Sequence, residues 1–276
     1  MPTDAVEGRA WLAALPGELA AQRRVMAGLL GFCESAPQVT SFSVGCSLGR
    51  GAADALSDID AAIGVAGGTE PVEGQVAAVL PGLGPLVDVL RYESRRDDPV
   101  RRIFAQFADR TQLDLAIVPE AGIRLRERPD FVPLYLVADP PGGQDPESAY
   151  AVTGQQVREW AFLGWTGLLD IDKYLRRGSL WEAHDRLHQV RQHIWMLWAA
   201  ASGALYPWHG LSQALDNDPR DLPPGIADTV AVLDTSDLRR AARASARVLA
   251  AVSQAAARRH PVDLPEALAG YVTDQC

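Results

Sequence analysis

Lysine is nearly missing from this chain: of its 26 basic residues only Lys173 is a lysine, and 35 acids leave a net charge of −9. Polynucleotide binding rests on many phosphate contacts, which a surface this short of positive charge supplies poorly, so no nucleic-acid partner is expected. Cysteine is scarce too. Cys33, Cys46 and Cys276 are odd in number and far apart, which excludes a disulfide framework or a cysteine-built zinc site and fits a reducing cytoplasm. No signal-peptide pattern is present, and no apolar run approaches the ~18–20 residues of a membrane span, so a membrane partner is not expected either. A Walker A loop is absent, and the glycine spacing does not fit a Rossmann fingerprint.

What is present is concentrated in one stretch. Val44-Gly45-Cys46-Ser47-Leu48-Gly49-Arg50-Gly51 precedes Ser57-Asp58-Ile59-Asp60-Ala61-Ala62-Ile63. The first part reads as a strand running into a tight glycine-rich turn and a short helix. The second reads as a strand over 58–65. Successive strand side chains point to opposite faces, so Asp58 and Asp60 share one face while Ile59 points into a core. Carboxylates roughly 4–5 Å apart repel by about 3–4 kcal/mol at an effective dielectric of ~20. Hard oxygens on one face suit Mg²⁺, which takes its remaining ligands from water and substrate phosphates. The turn offers backbone N–H groups where a phosphate can sit.

This pattern, a Gly-Ser turn followed by Asp-x-Asp on a strand, resembles the signature of the nucleotidyltransferase superfamily with the DNA polymerase β-like fold. Its variant G-x-S-L-x-R-G-x-A-D-x-x-S-D-I-D is similar to the bacterial branch that holds aminoglycoside and lincosamide nucleotidyltransferases, and so implies a role in antibiotic resistance. The resemblance implies that Gly45, Cys46 and Ser47 hold the triphosphate and that Asp58 and Asp60 ligate metal. Cys46 departs from the pattern, since many members carry a second glycine there. Arg50 either touches a phosphate or pairs with an acid to brace the turn. Ser57 orients the chain entering the strand.

The superfamily needs a third carboxylate on a neighbouring strand. Segments 101–108 and 112–118 read as a hairpin, and Asp114 is a charge within an apolar run, rarely fully buried unless paired or metal-bound. Asp88, in the strand-like Pro85–Leu90, is the competitor. Asp114 is preferred, either as a metal ligand or as the base that takes the acceptor's proton.

The order of elements is helical to about residue 35, then strands near 39–45 and 58–65, a helix near 72–80, strands at 85–92, 101–108 and 112–118, and a short one at 134–137. Ala138–Pro146 reads as a linker. Helical periodicity follows at 157–177, 180–202, 211–215, 225–233, 237–259 and 265–273. The element order gives an α/β (α+β) domain with a mixed sheet, residues 1–140, which by the resemblance is a nucleotidyltransferase domain, followed by an all-α helical bundle domain, 147–276. The resemblance implies an active site in the cleft between the two.

In the bundle, Lys173 is either a phosphate-binding lysine, as the resemblance implies, or a solvated helix residue. Asp170 and Asp172 repeat the D-x-D letters on a helix, where they point about 200° apart and cannot copy the strand site. Glu182 and Asp185 are candidate acceptor-side acids. His184 and His188 lie at i and i+4, with no third zinc ligand apparent. Trp160, Trp165, Trp181, Trp195 and Trp198 are spaced to fill a helical core. Tyr206-Pro207-Trp208-His209 either walls a ligand site or packs a helix end.

The reading is a Mg²⁺-dependent adenylyltransferase-type enzyme with two ions held by Asp58, Asp60 and Asp114. It moves a nucleoside monophosphate, AMP from ATP in the first instance, to a hydroxyl of a small molecule and releases pyrophosphate. The chain is expected to be a monomer or homodimer. The rivals are a protein-nucleotidylating, antitoxin-like enzyme and a non-catalytic nucleotide sensor.

Overall fold

In Ile59–Val65 every residue except Asp60 is buried, the mark of a strand covered on both faces. The structure is a computed structural model that describes residues 5–93, 100–119, 130–137, 151–217 and 220–275. The chain divides into two compact units, Met1–Pro146 and Glu147–Cys276.

The first unit runs α1 (Ala5–Ala14), a 3₁₀ turn (Gly17–Leu19), α2 (Ala20–Ser35), β1 (Val39–Val44), α3 (Cys46–Gly49), β2 (Ile59–Val65) and α4 (Thr69–Leu83). It continues with β3 (Leu86–Glu93), β4 (Arg101–Phe107), β5 (Gln112–Pro119) and β6 (Val132–Leu136). The strands form one mixed sheet in the order β3-β4-β5-β2-β1-β6. The β2–β5 pair is parallel and the other neighbours are antiparallel. Helical spacing puts Val25, Met26, Leu29 and Leu30 of α2, and Val72, Val76 and Leu80 of α4, on faces buried in the same core as Phe42, Ile63, Ile103 and Leu115 of the sheet. Each such side chain contributes about 1.5–3 kcal/mol by leaving water. That core holds the strands in the register on which the candidate site depends.

The second unit is helical: α5 (Gly154–Arg176), α6 (Leu180–Ser202), α7 (Leu211–Asn217), α8 (Thr235–Arg259) and α9 (Glu266–Gln275), with 3₁₀ turns at Pro207–His209 and Ile226–Thr229. A reciprocal cap starts α5. Thr153 Oγ1 accepts from the Gln156 amide, and Gln156 Oε1 accepts from the Thr153 amide. Asp234 caps α8 by accepting from the amides of Ser236 and Asp237. The buried core draws Trp160, Trp165 and Leu168 from α5, Leu187 and Ile194 from α6, and Leu249 and Val252 from α8. No helix among the described residues is long and apolar enough to cross a membrane.

Two expectations change. The segment 225–233 was expected to be a helix, but it forms only the Ile226–Thr229 turn. Gly225 there is left-handed (φ +81) after Pro223 and Pro224, a combination that starts a turn rather than a helix. Trp181 does not join the helical core; in the first turn of α6 it is 75% exposed. The Ala138–Pro146 linker lies outside the described residues.

Candidate functional site

The glycine-rich turn starts where β1 stops. Gly45 donates its N–H to the carbonyl of Asp60 at 2.8 Å, which ties the turn to the acid-bearing strand. A single turn of helix follows, closed by Gly49 N–H to Gly45 carbonyl at 3.1 Å and Arg50 N–H to Cys46 carbonyl at 3.0 Å. Two glycines are required by close approach. A Cβ on Gly45 would meet the Phe131 ring at 2.5 Å, and one on Gly49 would lie 1.9 Å from the carbonyl oxygen of Asp130. Cys46 holds the left-handed conformation, φ +53. That is a position where glycine is at ease and another residue costs about 1–2 kcal/mol. The departure seen in the sequence at Cys46 thus falls on a strained backbone position.

Between the turn and β2 the chain is pinned by two polar side chains. Asp54 Oδ1 accepts from the Leu56 amide at 2.9 Å, and Ser57 Oγ accepts from the Asp54 amide at 2.9 Å. Buried Gln22 donates to the carbonyls of Ser57 (3.0 Å) and Ala55 (3.3 Å). Ser57 therefore shapes this loop through Asp54. Asp58 was expected within the strand, but β2 begins at Ile59, and Asp58 is an exposed residue just before it.

Asp60 and Asp114 are direct Cα partners in the parallel β2–β5 ladder, so their side chains rise from adjacent strands on one face. Asp60 is about half-buried, and its carboxyl is pushed above the ordinary carboxylate range. Burial is the largest cause; a hydrogen bond with the Cys46 thiol opposes it, Asp58 and Asp114 raise it further, and Arg102 lowers it. Asp60 therefore feels the charge of both other predicted acids. Arg102 of β4 sits opposite Ala116, one diagonal step from Asp114, and its Nη1 reaches Asp114 Oδ1 at 3.3 Å. The Cys46 thiol is itself pushed well above its usual value, first by burial and then by the charge and hydrogen bond of Asp60 and the charge of Asp130, with Arg50 acting the other way.

Asp88 lies elsewhere. It is exposed on β3, separated from β2 by β4 and β5, and its carboxylate accepts from the Val89 amide. At ~4.8 Å per strand this is about 14 Å from β2. Asp130 is a group that sequence reasoning missed. It is 4% exposed, close enough to act on the Cys46 thiol, and its carbonyl covers Gly49. No spacing ties it to a turn so far upstream, and the contact exists only once β6 pairs with β1.

Among the described residues no three His, Cys, Asp or Glu side chains converge closely enough to bind a metal ion as they stand. The donor set nevertheless suits a hard dication. Asp58, Asp60 and Asp114 offer only carboxylate oxygens, and the mutual repulsion that raises Asp60 is what a divalent cation would relieve.

Lys173 lies in the second unit. Its Nζ is 2.5 Å from Asp170 Oδ1 and 4.6 Å from the Tyr174 ring centre, while Arg186 Nε reaches Asp170 Oδ2 at 3.4 Å. Asp172 pairs with Arg176. Glu182 is exposed, and Asp185 accepts from Gln189. His188 is exposed beside Gln192, and Trp198 donates to the Asp221 carbonyl. Tyr206, Trp208 and His209 stack edge to face or tilted on one another, with Tyr206 buried.

No family model matches the chain, and neither does any curated protein. Among solved structures it is similar to an aminoglycoside 6-adenyltransferase from Bacillus subtilis, with 15% identity over 95% of this chain and 97% of that one and a TM-score of 0.40. It is also similar to a nucleotidyltransferase-like protein from Exiguobacterium sibiricum, with 12% identity over 83% of this chain and 74% of that one and a TM-score of 0.37. Likenesses this remote assign no activity.

Proposed function

We propose that the chain is a divalent-metal-dependent nucleotidyltransferase that transfers a nucleoside monophosphate, AMP from ATP in the first instance, to a hydroxyl of a small molecule. The observation that carries this reading is the pairing of Asp60 with Asp114 across parallel strands, with Asp58 two residues upstream and the glycine turn bonded to the Asp60 carbonyl. Asp58, Asp60 and Asp114 would hold Mg²⁺. When bound, the ions lower the pKa of an attacking hydroxyl and neutralise charge on the in-line transition state.

The chain's own residues supply the rest. Gly45, Cys46 and Ser47 seat the phosphates against a turn too narrow for larger side chains at Gly45 and Gly49. Arg50 stands beside that turn. If Asp114 does not ligate metal, it is instead the base that takes the acceptor's proton, and Arg102 keeps a positive charge next to it in either role. Lys173, in the second unit, is held by Asp170 and would have to leave it to bind any phosphate. The acceptor oxygen bonds to the α-phosphorus as the bond to pyrophosphate breaks, and pyrophosphate leaves with that bond's electron pair, so no covalent enzyme intermediate is needed. The acceptor is an aminoglycoside- or lincosamide-like polyol, consistent with an acidic chain receiving a cationic molecule.

The test is mass spectrometry of an antibiotic and metabolite panel incubated with the protein, mixed NTPs and Mg²⁺. The expected result is a nucleotide-sized mass gain on one acceptor with equimolar pyrophosphate. Label from ATP on a protein and on no small molecule would overturn the choice of acceptor. Stabilisation by Mg-ATP with no pyrophosphate released would overturn the enzymatic reading.

A further inference from the structure

The sheet register lines up Asp60 of β2, Asp114 of β5, Phe104 of β4 and Leu90 of β3 in one row across four strands. Direct partners share a face, so the two aspartates, the aromatic ring and the leucine rise from the same side of the sheet. The adjacent row, Ile59, Leu113, Ala105 and Val89, points the other way and packs in or against the buried core. On the aspartate side exposure grows towards β3: Asp60, Asp114 and Phe104 are partly buried, and Leu90 is 60% exposed. Two residues along β3, Tyr92 is also exposed and stands opposite Arg102, the partner of Asp114. On the other flank Gln112 donates to Gln106 at 2.8 Å. Single exposed apolar residues are ordinary. Here three of them form a strip bordered by polar groups and continuous with the aspartate pair. The glycine turn, by contrast, follows β1, which adjoins β2 on the far side. The aspartates therefore stand between the turn and the apolar strip.

We propose that Phe104, Leu90 and Tyr92 bind the body of the acceptor, an alcohol carrying an aromatic or other apolar group. This rests on the nucleotidyl-transfer reading. With the phosphates on the turn side of Asp60, the attacking hydroxyl lies beside Asp114 and the rest of the molecule continues over β4 and β3. Strands ~4.8 Å apart set the apolar group about 5–10 Å from that hydroxyl. Contact with the Phe104 ring and burial of Leu90 and Tyr92 hold it there. Among the acceptors that the transfer reading allows, the strip favours an amphiphilic molecule over a fully polar one, because only the former has apolar surface to bury.

The experiment is isothermal titration of the full chain, in Mg²⁺ and the non-transferring analogue α,β-methylene-ATP, with two probes that share one sugar: 4-nitrophenyl β-glucoside and methyl β-glucoside. Wild type is expected to bind the aryl glucoside about tenfold or more tightly than the methyl one, as burial of a ring on an apolar strip implies. In Leu90→Thr/Phe104→Thr that preference should fall towards unity. Threonine keeps the β propensity of both positions, and circular dichroism checks the fold. Leu90→Thr alone, which should lose part of the preference, is the second variant if the double one does not fold. Three results would overturn the proposal: no binding of the aryl glucoside to wild type, equal binding of the two glucosides, or an unchanged preference in a folded variant. Pyrophosphate release from ATP, measured in parallel on the acceptor panel, separates the two readings. An aryl preference with no pyrophosphate from any acceptor removes the transfer reading and leaves only a binding strip. Pyrophosphate released with a fully polar acceptor, and no aryl preference, removes the strip alone.

Discussion

Replacing Asp60 by Asn should make the metal-free protein more stable while removing its activity. In the folded chain the Asp60 carboxyl is desolvated and faces the charges of Asp58 and Asp114. Neighbouring strands stand ~4.8 Å apart, and two carboxylates at about that distance repel by roughly 3 kcal/mol at an effective dielectric of ~20. The Cys46 thiol and Arg102 return part of this, and burial and the two neighbouring carboxylates still leave the ionised group penalised. Asn keeps the shape without the charge.

The sign follows from linkage. An acid whose folded pKa is raised binds its proton more tightly folded than unfolded. Its favourable contribution is complete below the unfolded value and disappears as pH rises through the folded one. Asp60→Asn should therefore raise the melting temperature of the sheet-bearing unit by about 3–6 °C near pH 7.5 in EDTA, and the difference should close as pH falls below about 4. Calorimetry reads both. Mg²⁺ with ATP should stabilise wild type and leave the variant unchanged, while transfer falls by a factor of about 10³ or more. An Asn variant that melts lower than wild type in EDTA, or gains equally from Mg-ATP, refutes the reasoning. Asp88→Asn, made on the exposed β3 edge, should change neither quantity.

Gly49→Ala puts a methyl group against the Asp130 carbonyl and should cost about 2–4 kcal/mol, seen as a lower urea midpoint with an unchanged m-value. At Cys46, glycine should relieve the left-handed strain but forfeit the thiol bond to Asp60, so stability should stay within about 1 kcal/mol of wild type. Valine there should destabilise by at least about 2 kcal/mol, because a branched Cβ fits that backbone worst; a Val variant that melts with wild type would contradict it. Arg102→Gln removes a group that holds the Asp60 pKa down. The acidic limb of the kcat/KM profile should therefore move to higher pH, and an unmoved limb would show that Asp60 ionisation does not govern the rate.

Much of the first unit was legible because periodicity and turn chemistry agree there. The strands expected at 58–65 and 112–118 follow from local pattern, and the sheet pairs them; the choice of Asp114 over Asp88 came from the resemblance, and the register sets Asp114 beside Asp60. Asp58 slipped outside its expected strand because the loop before it is organised by Asp54 and Gln22, two side chains with no local signature. Asp130 was invisible for a different reason: its closeness to the turn is made by β6 joining β1, a long-range pairing. The Trp181 position misled because tryptophan spacing on a helix does not say where the helix ends; this residue sits in the first turn of α6, beyond the packed face. The turn at 226–229 was read as helix because Ile226, Ala227 and Val230 look periodic, while the pair of prolines before them sets the backbone.

The parallel union of β2 with β5 also governs when this molecule can first do anything. Its two partners are separated in the chain by α4, β3 and β4, so Asp60 and Asp114 stay strangers until those intervening pieces have found their places. Loop closure of that length is slow relative to local hairpins. A half-made chain leaving the ribosome thus carries the glycine bend, Asp58 and Asp60 but not yet their pairing with Asp114, and the meeting of the two aspartate-bearing strands is a late, all-at-once reporter of a finished sheet.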